Sequence, residues 1–346
     1  MKALVYVEAK RLVIRDIDTP VPDEGEVLVQ VMAAGICGSD LHGFVGRSAI
    51  RFPEMVFGHE FTGIVAGVGD GVSDSCIGER VVVMPLLFCG ACGYCQEGHV
   101  NMCVNRRLIG AGLGEVVQGG FAEYVSVPRR NTLKLPKDVD YVAGAWTEPL
   151  ATPVHAMHEI QAVRHLGGSI LILGAGCQGN LFVQLARAQG YADIIALDVN
   201  EDRLNSARLM GATVAATGID KSLRNRITEL TSGRGVDLVV DTVGKRELRA
   251  QASEILRRRG VIVLVGLSEP ELELDAGRFV NSELTMRGSW CYTMSDFALS
   301  LDLLQRGVVE TAPVTKTATL EEGQKIFERL ASGTAGPEVK HVFVMV

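Results

Sequence analysis

The segment Ser169-Ile170-Leu171-Ile172-Leu173 runs without a break into Gly174-Ala175-Gly176-Cys177-Gln178-Gly179 and then into a helical pattern. Few arrangements narrow the choice of fold further. A buried strand must stop, turn within a residue or two, and restart as a helix whose free N–H groups and dipole favour negative charge. Gly174 permits the turn, Gly176 lets backbone come close to an anionic group, and Gly179 lets helix and strand pack tightly. Downstream the texture repeats. Short apolar strands from Asp193 to Leu197, Val236 to Val240 and Val261 to Val265 alternate with helices. These run from about Gly179 to Ala188, Glu201 to Met210, Leu223 to Thr231 and Arg246 to Arg258. That alternation predicts an α/β fold with a doubly wound parallel sheet. Gly190, Gly211, Gly233 and Gly260 follow the helices where a left-handed residue is wanted.

The second strand ends at Asp198, the spacing at which a carboxylate meets the ribose hydroxyls of a dinucleotide. An acid there repels a 2′-phosphate, which predicts NAD rather than NADP. Arg203 follows on the next helix and flanks the same site, or is a solvated helix residue.

The rest of the chain reads differently. Glu26 to Val31, Phe61 to Val68 and Arg80 to Met84 alternate with period two between Gly and Pro turns, and no long helix precedes Pro136. Towards the end, helices near Phe297 to Gln305 and Glu321 to Ala331 precede a closing strand from Lys340 to Val346. A chain of 346 residues fits two domains better than one core. The net charge of −7 leaves no basic excess for nucleic acid, and no apolar run is long enough to span a bilayer. Met1-Lys2-Ala3 leads straight into a strand pattern rather than a signal peptide, so a cytoplasmic, reducing setting is expected. There, eight cysteines read as metal ligands or free thiols.

Cys89, Cys92, Cys95 and Cys103 are spaced so that one glycine-rich loop folds four thiolates around a tetrahedral ion. A closed thiolate shell leaves no open position, which predicts a structural zinc; an iron–sulfur cluster and reduced surface cysteines are the competing readings. The second group is chemically different. Cys37, His59 and Glu60 offer thiolate, imidazole and carboxylate, and Glu148 adds a further carboxylate before Pro149. Such a mixed, incomplete set suits a catalytic zinc that keeps a position for water or substrate.

With these constellations in this order, the chain resembles the zinc-containing medium-chain dehydrogenase/reductase superfamily over essentially its full length. The segments G-I-C-G-S-D-L-H, G-H-E-F-T-G, G-G-F-A-E-Y, T-E-P-L and G-A-G-C-Q-G carry the likeness, together with the four cysteines. Within the superfamily it is most similar to the sorbitol, threonine, butanediol and galactitol-phosphate dehydrogenase group. Glu60 after His59 and Glu148 before Pro149 carry that choice, since related animal and yeast alcohol dehydrogenases place a cysteine as third ligand. The resemblance implies a GroES-like β-barrel catalytic domain formed by residues 1–150 and 284–346, with a Rossmann NAD-binding domain at 151–283. It implies Cys37 and His59 as invariant zinc ligands, and Glu60 and Glu148 as ligands that bind directly or through water. Asp40 becomes the acid that orients the zinc histidine, and Ser39 and His42 the proton relay.

The expected activity is transfer of hydride between a secondary alcohol and NAD, with two zinc ions per subunit. The alcohol would be a polyol, a sugar alcohol or its phosphate, and the enzyme a homodimer or homotetramer. An NAD(P)H-dependent carbonyl reductase or an amino-alcohol dehydrogenase of the same fold is the alternative. A zinc-stabilised binding protein would leave the glycine loop and the mixed donor set without purpose. Arg47, Arg51, Arg106 and Arg107 are read as solvated arginines, or less readily as ligands of a substrate phosphate or carboxylate.

Overall fold

The computed structural model describes residues 1–113, 115–160, 167–333 and 339–345. It divides into two compact units, Met1–Ala151 with Tyr292–Gly307 and Thr311–Val346, and Thr152–Cys291 with Val308–Glu310.

The second unit is built on six strands: β1 (Ser169–Leu173), β2 (Asp193–Leu197), β3 (Val214–Ala216), β4 (Val236–Asp241), β5 (Leu256–Leu264) and β6 (Thr285–Gly288). They hydrogen-bond in the order β3-β2-β1-β4-β5-β6, every pair parallel. The order reverses at β1, whose end carries the glycine turn, and such a reversal is where dinucleotides bind in sheets of this kind. Leu171, Leu173, Ile195, Val239 and Ile262 pack against Leu223, Ile227 and Ala252 of the covering helices. β1 is buried at every position, as a strand covered on both faces must be.

Two strands carry little signal in the sequence: Val214–Ala216 is only three residues long and half-buried, and Thr285–Gly288 is mostly exposed with no apolar run. β6 has a consequence for assembly. It makes β5 an interior strand, so Val261 to Val265 does not lie at the sheet edge, and the edge on that side is Thr285–Gly288. It also carries the unit on to Cys291, where the sequence reading returned the chain to the catalytic domain at 284.

The helix that begins at Arg246 ends at Glu254, four residues short of the expected Arg258. Arg278 accounts for the stop: its guanidinium donates to the carbonyls of Ser253, Glu254 and Leu256, which frees the chain to enter β5. Gly260 consequently lies within β5, and the left-handed residue is Arg259, with φ 61°. Gly190, Gly211 and Gly233 do hold positive φ at 80°, 119° and 77°.

In the first unit, a seven-stranded, mostly antiparallel sheet runs Thr132–Lys134, Arg80–Val83, Glu60–Val68, Glu26–Gly35, Lys340–Val344, Thr315–Ala318, with Tyr124–Pro128 also pairing Glu26–Gly35. Both ends of the chain therefore share one sheet. Strand Lys340–Val344 lies between Glu26–Gly35 and Thr315–Ala318 and ends two residues short of the expected Val346, which lies outside the described residues. Phe44, Phe121, Phe327 and Phe343 form an aromatic cluster at its core, with ring centroids 5.1 to 6.1 Å apart.

Candidate functional site

Antiparallel pairing sets the first site. Gly35 stands opposite Glu60, so Cys37, two residues beyond the strand end, is brought beside His59 and Glu60. Two glycines make the room. A Cβ on Gly35 would lie 2.3 Å from Glu60 Oε2, and Gly58, with φ 94°, would drive a Cβ into the Phe121 ring at 2.5 Å. One ligand atom from each of Cys37, His59 and Glu60 falls within 4.8 Å of the others. Glu60 and His59 are buried; Glu60 Oε2 is ion-paired with Lys340 Nζ, while Oε1 accepts no hydrogen bond. A buried acceptor left without a donor is costly, and this donor set of S, N and O fits a zinc ion that would engage Oε1.

Glu148, in the first turn of helix Thr147–His158, stands outside that tight set. Its Oε1 accepts a 2.6 Å bond from the Tyr292 hydroxyl. Burial pushes its carboxyl up to about 7, with the Glu60 charge adding to the effect and His59, Tyr292 and Lys340 opposing it. The sequence offered no sign of Tyr292 or Lys340, which come from the far end of the chain.

Short helix Gly38–Phe44 sorts the remaining residues by face. Asp40 is buried, while Ser39 and His42, one turn apart, are exposed. Asp40 Oδ1 lies 3.4 Å from His59 Nδ1 and accepts a 3.0 Å bond from Arg51, and Oδ2 accepts the Cys37 N–H at 3.1 Å. Burial alone would raise the Asp40 carboxyl, but His59 and Arg51 hold it well below the usual carboxylate range. Burial likewise opposes charge on His59, yet Asp40 and Cys37 raise its imidazole well above the ordinary value. Arg51 is thus buried at 5% exposure and spent on Asp40 and Ser39, not solvated and not free for a substrate phosphate. Arg47 is exposed, Arg106 donates to the Cys103 carbonyl and Arg107 pairs with Glu115.

Cys89, Cys92, Cys95 and Cys103 converge, with Cys89 Sγ 4.0 Å from Cys95 Sγ and 3.5 Å from Cys103 Sγ. A zinc with bonds of about 2.3 Å needs its sulfurs about 3.8 Å apart. The N–H groups of Ala91 and Cys92 point at Cys89 Sγ and bring its thiol down to about 6, a setting for thiolates. Burial pushes Cys95 up to about 12 instead, with the neighbouring Cys92, Cys103 and Cys89 sulfurs adding to the effect.

In the second unit, Gly174 takes φ 95° and Gly179 is pressed on the turn so closely that a Cβ would lie 1.8 Å from the Gly174 carbonyl oxygen. Gly176 caps helix Cys177–Ala188 and faces open space. Asn180, which the sequence reading passed over, pins this loop by donating to the carbonyls of Ala175 and Gly176 at 2.5 and 3.2 Å. Asp198 does more than end β2: its Oδ2 accepts the Ala175 N–H at 2.9 Å and its Oδ1 the Asn200 N–H at 2.9 Å. Arg203 Nη1 lies 3.7 Å from the same carboxylate.

Residues 23–137 match the family described as alcohol dehydrogenase GroES-like domain, and residues 179–306 the zinc-binding dehydrogenase family. L-threonine 3-dehydrogenase of Bacillus subtilis (strain 168) is 36% identical over 344 residues, covering 97% of each chain. Sorbitol dehydrogenase of Halalkalibacterium halodurans is 31% identical, again over 97% of both. Among solved structures, the alcohol dehydrogenase TADH from Thermus sp. ATN1 superposes with a TM-score of 0.92 at 29% identity, covering 99% of each chain. Two zinc-type donor sets, a glycine turn at the point where the sheet order reverses, and full-length relatives agree: the chain belongs to the zinc-containing medium-chain dehydrogenase/reductase superfamily and is a zinc- and NAD-dependent dehydrogenase.

Proposed function

We propose that this enzyme oxidises a secondary alcohol of the polyol type to its ketone, with NAD as hydride acceptor. The observation that carries the reading is the Cys37, His59 and Glu60 set, half-buried at Cys37 and buried at the other two, with Asp40 behind its histidine. Zinc held there supplies a positive charge that makes an alcohol hydroxyl acidic near neutral pH. Cys37 and His59 anchor the ion, Asp40 orients the imidazole, and Glu60 and Glu148 act as exchangeable ligands. Ser39 Oγ accepts the hydroxyl proton as it releases its own towards His42, which, exposed one turn on, passes a proton to solvent. A β-hydroxy amino acid is the second reading, favoured by the 36% identity to L-threonine 3-dehydrogenase. Commitment of Arg51 to Asp40 weighs against a phosphorylated substrate. NAD reduction measured over polyols, sugar-alcohol phosphates, amino alcohols and hydroxy acids tests the assignment; turnover confined to primary alcohols or hydroxy acids overturns it.

The four thiolates Cys89, Cys92, Cys95 and Cys103 hold the second, structural zinc. Elemental analysis is expected to find two zinc ions per chain, one released readily by chelator and one slowly, because a closed shell exchanges more slowly than an open one. A single class of zinc, or none in protein never exposed to chelator, contradicts this.

Asp198 sets the preference for NAD, and Arg203 flanks it. Asp198→Ser is expected to shift the NADP to NAD efficiency ratio by about tenfold or more, the scale of one or two charge-assisted hydrogen bonds. Its bond to Ala175 N–H means NAD affinity should fall in the same variant. Equal use of both cofactors by the unaltered enzyme counts against the assignment. The enzyme works in the cytoplasm as a homodimer or homotetramer, with exposed edge β6 as the strand left to pair. Sedimentation finding only monomer at micromolar concentration rules the assembly out. Among the described residues, no helix is long and apolar enough to cross a membrane.

A further inference from the structure

We propose that Arg51 is a positioning residue that holds the Ser39 hydroxyl as a hydrogen-bond acceptor on its inner side, so that its proton faces outward. The proposal rests on the relay reading of Ser39. Arg51 reaches inward from the loop between helix Gly38–Phe44 and strand Met55–Val56, its side chain 1% exposed, with the guanidinium 5.4 Å from the Phe57 ring centroid. The slot is made for it: a Cβ on Gly43 would lie 2.6 Å from Arg51 Cγ. One nitrogen, Nη2, donates both to Asp40 Oδ1 at 3.0 Å and to Ser39 Oγ at 3.3 Å. Arg51 Nε is buried without an acceptor, so the placement of the side chain is not explained by saturating its own donors.

A guanidinium donates and never accepts. On the side facing Arg51, Ser39 Oγ can therefore only accept, which leaves its second lone pair and its hydrogen for partners on the exposed side. Without Arg51, the hydroxyl is free to turn its hydrogen towards the Asp40 carboxylate, a stronger acceptor than any alcohol. A hydroxyl held in that way has the wrong polarity to relay a proton outward. The same nitrogen also neutralises Asp40, which ties the orientation of Ser39 to the carboxylate behind His59.

The test is a double-mutant cycle on the zinc-loaded enzyme with Arg51→Lys, Arg51→Met and Ser39→Ala, following zinc content, kcat, KM and the solvent deuterium isotope effect. Arg51→Lys is expected to lower kcat about tenfold with KM and both zinc ions unchanged, in the range seen when a supporting partner of a reactive group is lost. In the Ser39→Ala background the same change should cost nothing further, and the isotope effect of the double variant should equal that of Ser39→Ala. Guanidinium at millimolar concentration should partly restore Arg51→Met but not the Arg51→Met, Ser39→Ala pair. Additive losses, or loss of the readily released zinc in Arg51→Lys, overturn the proposal and make Arg51 a support of the metal ligands alone. Full turnover in Ser39→Ala is a separate result that removes the relay reading itself. If the Met variant does not fold, Arg51→Lys alone completes the cycle.

Discussion

Replacing Cys37 or His59 with alanine is expected to leave one zinc per chain instead of two, and to reduce turnover by about a thousandfold or more while NAD affinity stays near its original value. The magnitude follows from the several kcal/mol of charge stabilisation that a Lewis-acid metal supplies, since about 4 kcal/mol corresponds to roughly three orders of magnitude. NAD binding should survive because Gly174, Gly176, Gly179 and Asp198 belong to a unit that contains neither residue. Glu148→Gln should behave differently. Glu148 lies outside the compact set of Cys37, His59 and Glu60 and is held by the Tyr292 hydroxyl, so the variant should keep both ions and lose about tenfold in rate. Zinc content, NAD titration and turnover on the three variants decide the matter. Full activity in either anchor variant would remove the metal from the mechanism, and equal zinc loss in the Glu148 variant would make Glu148 an anchor.

Alanine at Gly176 and at Gly179 should separate cofactor binding from folding. A Cβ on Gly176 meets nothing within 4 Å and the residue has an ordinary φ of −70°, so Gly176→Ala should fold and melt like the parent. With the open space beside it as the proposed place for the diphosphate, NAD affinity should drop by one to two orders of magnitude, about the loss of one charge-assisted hydrogen bond. Gly179→Ala puts a Cβ 1.8 Å from the Gly174 carbonyl oxygen, a backbone atom anchored at the end of β1. That overlap can be relieved only by prying the helix from the strand, at a cost of about 3 kcal/mol or more. Calorimetry on the two variants should show a lowered melting temperature for Gly179→Ala alone. Two variants with equal melting temperatures and equal NAD affinity would mean that the turn does not hold the cofactor in this way.

Some features were legible because their physical signal is local. The turn at Gly174 to Gly179 and the four clustered cysteines declare themselves within a few residues, since a tight turn and a thiolate shell each demand particular residue types at particular spacings. The interior strands β1, β2 and β4 could be read from their apolar runs. Edge strand β6 could not, because Thr285-Met286-Arg287-Gly288 is a strand by virtue of its neighbour β5 and not by pattern. The end of the helix at Glu254 was hidden for a similar reason: Arg278 stops it from more than twenty residues away.

The site divides along the same line. The identities of Cys37, His59, Glu60 and Glu148 as candidate metal ligands lay in the sequence, where thiolate, imidazole and carboxylate are chemically recognisable. Their arrangement did not. Which carboxylate joins the compact donor set depends on the Gly35 to Glu60 register, and which is held back depends on Tyr292, 144 residues from its partner Glu148. Arg51 reads in sequence as one more loop arginine, and only folding turns it inward onto Asp40 and Ser39. Local chemistry determined which groups this protein can use; long-range packing decided which of them meet, because a charge can be buried only where the fold supplies its partner.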